Sequence, residues 1–280
     1  MKSIEQSVSQ HYTHGSLANT ILQALTAAGK DINRLEPADL APVDEFHIGG
    51  RQATIDFAEQ MGLTPGMQLL DVGCGLGGAS RYFAHERGCQ VTGIDLTAEY
   101  VAVAEALAQL VGLAERVSYR HASGLSLPFA AGSFDAAYML HVGMNIADKA
   151  ALFGEVRRVL RPRSIFGIYD VMSEAEGELT FPVPWAAAVE MSFVDRAGTY
   201  RRLLQSCGFA VEQERSRRDF AIDFFRKMRG QVAQSGPPPL GLHILMGPTA
   251  QQKVTNMIAN LERGLIAPTE IICRDLTEPA

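Results

Sequence analysis

Short apolar runs and longer stretches with helical spacing follow each other along most of this 280-residue chain. Apolar runs bounded by turn residues predict buried strands, whereas apolar residues three and four positions apart predict helices. From residue 67 the two patterns alternate, which predicts an α/β fold with a parallel sheet and helices on both faces. Strands are predicted at residues 67–72, 90–94, 117–121, 134–140, 164–169, 209–214 and 271–273.

The first 65 residues show no strand pattern. One helical pattern begins after Ser16 and ends at Gly29, and a second covers residues 53–61 and ends at Gly62. Residues 1–15 are polar, and we expect them to be mobile until something orders them. Residues 30–50 have no period, and residues 40–50 are interpreted as an ordered loop. The sequence thus predicts an N-terminal helical cap at residues 1–65 and a main domain at 66–280.

Two segments interrupt the alternation inside the main domain. The first, residues 171–195, contains Phe-Pro-Val-Pro-Trp at positions 181–185, and the second, residues 215–264, contains prolines at 237–239. An aromatic stripe of Phe220, Phe224 and Phe225 opens the second segment, and residues 249–261 predict a further helix. We expect both segments to be insertions that line a ligand pocket.

Composition and charge exclude several classes of protein. The net charge of −6 provides no positive field for nucleic acid or anionic lipid. No apolar run reaches the roughly 18 residues that a membrane helix needs, and residues 1–5 do not resemble a signal peptide. The four cysteines are scattered without metal-ligand spacing. We therefore expect a cytoplasmic chain with no nucleic-acid partner, no membrane span and no metal.

The strongest local signal is Asp-Val-Gly-Cys-Gly-Leu-Gly-Gly at residues 71–78. A buried strand here breaks into four glycines, which permit positive φ and a close approach of backbone to ligand. The helix that follows offers free N–H groups to an anionic or polar group. A glycine turn alone also suits a dinucleotide, so its meaning depends on the other motifs.

Two more features follow the second and third predicted strands. Asp95 lies twenty residues beyond Gly75 and can accept two hydrogen bonds from a ribose diol, although a helix N-cap is an equally open interpretation. Residues 123–129, Ser-Gly-Leu-Ser-Leu-Pro-Phe, form a turn that could hold an adenine edge. Open α/β sheets bind ligands at these carboxyl ends of strands.

This combination resembles the class I S-adenosylmethionine-dependent methyltransferases. Residues 71–78 look like their first motif and Val-Thr-Gly-Ile-Asp at 91–95 like their second. Residues 123–135 resemble their adenine turn and fourth strand, and 159–162 the end of the helix before strand five. The resemblance spans about residues 65–215 and the last strand. It implies a Rossmann-like, doubly wound, mostly parallel seven-stranded sheet with an antiparallel last strand, the N-terminal helical cap and the insertions near the C-terminus.

The resemblance also implies a set of cofactor contacts. The residues concerned are Asp71, Gly73, Gly75, Asp95, Leu96, Ser123, Gly124 and His141. The two glycines of the turn would lie against the methionine part of S-adenosylmethionine, and Asp71 would orient the turn and the amino group. Asp95 would hold the ribose hydroxyls, with Leu96 against the adenine.

The turn after the third predicted strand departs from the family pattern. Ser123 stands where many relatives have an aspartate that accepts from the adenine amino group, so an uncharged and weaker acceptor replaces a carboxylate. The backbone of Gly124 could bind a ring nitrogen without a side chain. Residues 163–164 also depart from the usual Pro-Gly-Gly, which affects the turn into strand five rather than the cofactor.

Four residues are candidates for catalysis and acceptor binding. His141, directly after the fourth strand, and His47, in the cap, could act as a base or orient the acceptor. Tyr12 could close over the site, and Trp185 could form an aromatic wall against the acceptor. Ordinary structural roles stay open for all four: a strand-end hydrogen bond, a loop contact, a surface position and simple packing.

Residues 140–149 and 182–185 look like the small-molecule branch near the ubiquinone and menaquinone C-methyltransferases and the sarcosine and dimethylglycine N-methyltransferases. The prediction is therefore in-line transfer of a methyl group to a nitrogen, oxygen or carbon of a small-molecule acceptor. The alternatives are a cofactor-binding partner or regulator without catalysis and, less favoured, a nicotinamide-dependent oxidoreductase. The sequence leaves open whether the chain forms a homodimer.

Overall fold

The computed structural model describes residues 3–276 and contains one seven-stranded sheet. In chain order the strands are β1 (Gln68–Val72), β2 (Gln90–Asp95), β3 (Val117–His121), β4 (Phe134–Leu140), β5 (Leu160–Ser173), β6 (Phe209–Ser216) and β7 (Ile266–Asp275). Across the sheet the order is β3-β2-β1-β4-β5-β7-β6. Strands β1 to β5 run parallel, and β7 is antiparallel to both β5 and β6. The predicted fold class is confirmed.

Helices cover both faces of this sheet. In the part of the chain that the structure describes they are α1 (Ile4–Tyr12), α2 (Leu17–Ala27), α3 (Pro37–Asp44), α4 (Gly50–Gln60), α5 (Gly78–Glu86), α6 (Ala98–Leu110), α7 (Lys149–Val159), α8 (Ala197–Ser206), α9 (Arg218–Ser235), α10 (His243–Met246) and α11 (Ala250–Glu262). Helices α4, α5 and α6 pack on one face, and α7 and α8 on the other. No helix between residues 3 and 276 has both the length and the apolar character needed to cross a membrane.

The expectation of an unstructured start is wrong for residues 4–12, which form α1; residues 1–2 lie outside the described residues. Ser3 and Gln6 form a capping box, in which each side chain accepts a hydrogen bond from the other's backbone N–H. The helix buries none of its residues. Because the helix has no fully buried apolar face, the hydrophobic pattern does not indicate it.

The loop predicted at residues 40–50 is also partly wrong, because α3 occupies residues 37–44. Pro37 stands in its first turn, where its missing N–H costs nothing. The side chain of Asp39 accepts from the backbone N–H of Glu36 at 2.9 Å. Pro42 inside the helix masked the periodicity.

An ion pair joins α3 to the glycine turn. The guanidinium of Arg81, on α5, donates to Asp44 Oδ2 at 2.6 Å and to the carbonyl oxygen of Leu76 at 2.7 Å, and both charged side chains are buried. Gly78 is required here, because a Cβ at that position would lie 2.4 Å from the carbonyl oxygen of Asp44. The cap and the turn are therefore packed as one unit.

Candidate functional site

A cavity of about 1720 Å³ lies over the carboxyl ends of the central strands. The strand order reverses between β1 and β4, and open α/β sheets bind ligands at such a point. The cavity brings together every residue that the sequence nominated: Tyr12, His47, Asp71, Gly73, Gly75, Asp95, Leu96, Ser123, Gly124, His141 and Trp185. Their individual roles remain predictions.

The glycine turn forms the floor of the cavity. The backbone N–H groups of Gly73 and Cys74 both donate to the carbonyl oxygen of Ile94, at 2.8 and 2.9 Å, and so tie the turn to β2. Gly73 has φ +73°, and a Cβ there would lie 2.5 Å from Val142 Cγ2. Gly75 has φ +54°, and a Cβ there would meet no atom within 4 Å. The backbone at Gly75 is therefore open to a ligand.

Asp95 links the carboxyl ends of β1 and β2. Its Oδ2 accepts from the backbone N–H of Gly75 at 2.9 Å, and its Oδ1 accepts from that of Thr97 at 2.8 Å. Asp95 thus holds the start of α6 and also faces the cavity, so the two sequence interpretations are compatible. Each carboxylate oxygen has a second lone pair for a ligand hydroxyl. Burial raises the pKa of Asp95.

Asp71 lies beneath the turn and is buried. Its Oδ2 accepts from Ser80 Oγ at 2.6 Å and from the hydroxyl of Tyr138 at 3.0 Å. Burial raises the pKa of Asp71 to about 7, although both hydroxyl donors oppose the rise. A cationic group entering the cavity would stabilise the ionised form of this carboxyl.

The turn after β3 contains a contact that the sequence did not predict. Ser123 Oγ donates a hydrogen bond to Glu5 Oε1, on α1, and accepts one from the backbone N–H of Leu125 at 3.0 Å. At Gly124 a Cβ would lie 2.9 Å from Leu152 Cδ1, so the turn packs tightly on α7. The carbonyl oxygen of Leu96 faces away, toward His121 Nε2 at 3.0 Å.

His141 is held by two backbone groups. Its Nε2 lies 3.3 Å from the backbone nitrogen of Ile48, and its Nδ1 lies 3.2 Å from the carbonyl oxygen of Tyr169. Because an N–H can only donate and a carbonyl can only accept, Nδ1 carries the proton and Nε2 accepts. Burial, with a smaller effect of His47, lowers the pKa of His141 to about 3. The ring is therefore neutral at pH 7.

His47 has a different arrangement. Its Nε2 lies 3.2 Å from the carbonyl oxygen of Gly50 and 3.0 Å from Thr54 Oγ1, whose proton goes to Glu45 Oε2 at 2.8 Å. Nε2 therefore carries the proton, and Nδ1 is the accepting nitrogen. Burial lowers the pKa of His47 to about 4. Glu45 and Thr54 orient this ring, and periodicity alone did not identify either of them.

Three aromatic residues complete the wall. Trp185 is buried and its indole N–H donates to Ser192 Oγ at 2.9 Å, so the ring itself is left for apolar contact. The Tyr12 hydroxyl lies 3.5 Å from Asn145 Oδ1. The hydroxyl of Tyr100 is buried beside the cavity and has no hydrogen-bond partner among residues 3–276. No pattern in the sequence singles out Tyr100, which occupies the first turn of α6.

The central part of the chain is similar in sequence to known proteins. Residues 70–168 match the methyltransferase domain family. A sterol 24-C-methyltransferase of Gibberella zeae is 35% identical over 113 residues, which are 40% of this chain and 30% of the relative. The chain spans between 30% and 52% of the length of the first curated relatives that it matches.

Two solved structures share the fold over nearly the whole chain. Geranyl diphosphate C-methyltransferase from Streptomyces coelicolor A3(2) has a TM-score of 0.72 and 15% identity, over 98% of both chains. The [4+2]-cyclase SpnF has a TM-score of 0.69 and 20% identity, over 99% of this chain and 98% of its own. These two structures show the fold alone. The match of residues 70–168 to the methyltransferase domain family, together with the curated methyltransferase relatives, confirms the resemblance to the class I S-adenosylmethionine-dependent methyltransferases.

Proposed function

We propose that this protein transfers a methyl group from S-adenosylmethionine to a bulky, largely apolar small molecule. The observation that carries the proposal is a single cavity that extends from the glycine turn and Asp95 to apolar side chains of α9 and α11. A cofactor and an acceptor can therefore lie next to each other inside one enclosure.

The residues at the sheet end of the cavity fit the cofactor. Gly75 leaves open space, both oxygens of Asp95 can accept from ribose hydroxyls, and Asp71 can face a cationic amino group. The unpartnered hydroxyl of Tyr100 is a buried donor that a bound ligand would satisfy. When bound, S-adenosylmethionine supplies a methyl group on a sulfonium, which is activated for in-line displacement.

The other half of the cavity supports an apolar acceptor. Its lining includes Trp185, Phe224, Phe225, Met228, Met257 and Ile258. Charged side chains of this half, Lys227 and Arg229, are exposed rather than buried among the apolar groups. The whole cavity exceeds the roughly 300–1,000 Å³ of ordinary ligand pockets, which leaves room for a bulky acceptor beside a cofactor.

The low pKa values of the two histidines support an acceptor that is uncharged before it is methylated. With pKa values lowered to about 4 and about 3, His47 and His141 are neutral but weak bases at pH 7. A weak base readily takes a proton from a strongly acidic cation, such as a methylated alkene or hydroxyl, but not from an ammonium group. We therefore favour an alkene carbon or a hydroxyl as the methylated atom, with His47 Nδ1 accepting the proton that the acceptor loses.

A labelled-methyl transfer assay tests this function. Labelled S-adenosylmethionine is incubated with a polyprenyl alcohol, a sterol, a bulky phenol and, for contrast, dimethylglycine. We expect label in the organic phase with one or more apolar acceptors and none on dimethylglycine. Val254→Trp, which places a large ring in the apolar half, should reduce this transfer without weakening cofactor binding. Leu110→Trp, at an exposed position on α6, is the matched control.

Two outcomes would contradict the proposal. Transfer to dimethylglycine alone would refute the apolar acceptor. Tight cofactor binding with no transfer to any acceptor would favour the alternative of a cofactor-binding protein that does not methylate. The [4+2]-cyclase among the structural neighbours shares this fold and is named for a different reaction, so that alternative deserves a direct assay.

A further inference from the structure

We propose that Glu5, on helix α1, is the residue that recognises the exocyclic amino group of the adenine ring. The assignment deepens the proposed function and rests on the cofactor site described above. It makes a residue of the N-terminal cap a determinant of cofactor specificity.

The position of Glu5 is set by Ser123. The hydroxyl of Ser123 gives its one proton to Glu5 Oε1, and its oxygen accepts from the backbone N–H of Leu125 at 3.0 Å. The proton of the serine hydroxyl is therefore used, and one lone pair of its oxygen remains. Glu5 is half-buried and lines the cavity beside the turn that follows β3.

The order of the strand ends brings the adenine to this place. The glycine turn follows β1, Asp95 ends β2, and Ser123 follows β3, and neighbouring strands lie about 4.8 Å apart. With the ribose at Asp95 and the methionine part at the glycine turn, the base lies on the remaining side, toward β3. Ala122, Gly124 and Leu125 line the cavity there.

The chemistry of Glu5 suits an amino group. An ionised carboxylate only accepts, and its two oxygens offer about four lone-pair sites, of which Ser123 uses one. The amino group at C6 of adenine can donate to a remaining site. A purine with a carbonyl oxygen at C6 would instead place an acceptor against the carboxylate, which is unfavourable. Glu5 therefore favours adenine over 6-oxopurines.

Helix α1 is held on this site by contacts of Tyr12 with the rings of Phe46 and Tyr100 and by several polar contacts. It buries no residue, and apart from Glu5 its polar contacts to the rest of the chain include His11 Nε2 to the carbonyl oxygen of Pro184 at 3.1 Å and Tyr12 to Asn145. A bond from the base to Glu5 would add to these contacts. Ligand binding should therefore also protect α1 from proteolysis.

Calorimetry with two ligands tests the assignment. The ligands are S-adenosylhomocysteine and S-inosylhomocysteine, which differ in the amino or carbonyl group at C6. The wild-type protein should bind the adenosyl ligand more tightly. Glu5→Ala should weaken that binding about tenfold or more, as expected for loss of a charge-assisted hydrogen bond, and leave the inosyl ligand unchanged or tighter. Glu5→Gln, whose amide can donate, should bind the inosyl ligand more tightly than wild type does.

The design separates the possible failures. Glu59→Gln, at an exposed position on α4, is the matched control and should change neither affinity. Equal weakening of both ligands in Glu5→Ala, with no gain for the inosyl ligand in Glu5→Gln, would mean that Glu5 only anchors α1 and would overturn the assignment. A wild-type protein that binds neither ligand would overturn the cofactor site itself, and this assignment with it.

Discussion

His141 and Ile48 are joined by a hydrogen bond of 3.3 Å, which the backbone N–H of Ile48 donates to Nε2 of the imidazole. The hydroxyl of Tyr169 donates to the carbonyl oxygen of Ile48 at 2.9 Å. One side chain directly after β4 and one within β5 thus hold one residue of the cap by both of its backbone groups. His47, the preceding residue, is positioned by this clamp.

The first prediction separates the two histidines. His47→Ala removes the proposed proton acceptor and should lower kcat by about 100-fold or more, with cofactor affinity unchanged. His141→Ala leaves the N–H of Ile48 unpaired, so it should reduce the free energy of unfolding by about 1–3 kcal/mol and raise the KM of the acceptor. Steady-state kinetics and thermal unfolding of both variants provide the test.

His141→Gln is the control for this pair, since an amide can both accept and donate at the position of the ring. It should recover much of the stability lost in His141→Ala. If His141→Ala lost as much kcat as His47→Ala while keeping wild-type stability, His141 would be the base and the clamp would be the wrong interpretation.

The second prediction concerns the ribose contact. Asp95→Ala removes an acceptor for both hydroxyls and also the anchor of the Gly75 N–H, so it should weaken S-adenosylmethionine binding by at least about 100-fold. Asp95→Asn keeps one accepting oxygen and should fall between this variant and wild type. Calorimetry measures the affinities, and unchanged binding in Asp95→Ala would refute the assigned contact.

The main features of the site could be predicted from sequence because they follow from the sheet. A strand that breaks into glycines at Gly73, a carboxylate at Asp95 and a turn at Ser123 each end a parallel strand, and such ends meet at one edge. The span of β4 coincides with the predicted residues 134–140. The motifs lie on buried strands, where the hydrophobic pattern is strong.

Other features depend on contacts that no local pattern encodes. Helix α1 lacks a buried face, so Glu5 is one polar residue among many until Ser123 is seen beside it. The proton positions on His47 and His141 follow from the carbonyl oxygens of Gly50 and Tyr169, which only the folded chain places beside the two rings. Strand β5 extends beyond the predicted residues 164–169 because β7 pairs with it from Ile165 to Ser173.

The third prediction uses the pH dependence of cofactor binding. In the free protein the pKa of Asp71 is raised to about 7, whereas a cationic amino group binds its ionised form. Binding therefore lowers this pKa and releases a proton, so affinity should fall by up to about tenfold per pH unit below 7. Calorimetry between pH 5.5 and 8 should show a flatter dependence in Asp71→Asn. An equally steep dependence in that variant would assign the effect to another group, such as Asp95.

The fourth prediction concerns the buried pair Arg81 and Asp44. Arg81→Met leaves the carboxylate of Asp44 buried without its partner, which should cost about 3–5 kcal/mol of unfolding free energy. The double variant Asp44→Ala and Arg81→Met removes the orphaned charge and should be more stable than Arg81→Met alone. Denaturant unfolding measures both, and a double variant less stable than the single one would contradict the desolvation argument.

The last prediction follows from Glu45, whose pKa is raised to about 8 by burial and by the neighbouring charge of Asp44. In the unfolded chain this carboxyl ionises near pH 4.3, so between about pH 4.3 and 8 the folded protein holds a proton that the unfolded chain releases. The contribution of this group to stability is therefore complete below that window and is lost as the pH rises through it.

Glu45→Gln keeps an acceptor for Thr54 and cannot ionise. Its melting temperature should match that of wild type near pH 5 and exceed it by several degrees at pH 9, while Glu59→Gln should show no such trend. A shift of the same size at both pH values would mean that packing around Glu45, rather than its charge, sets the difference.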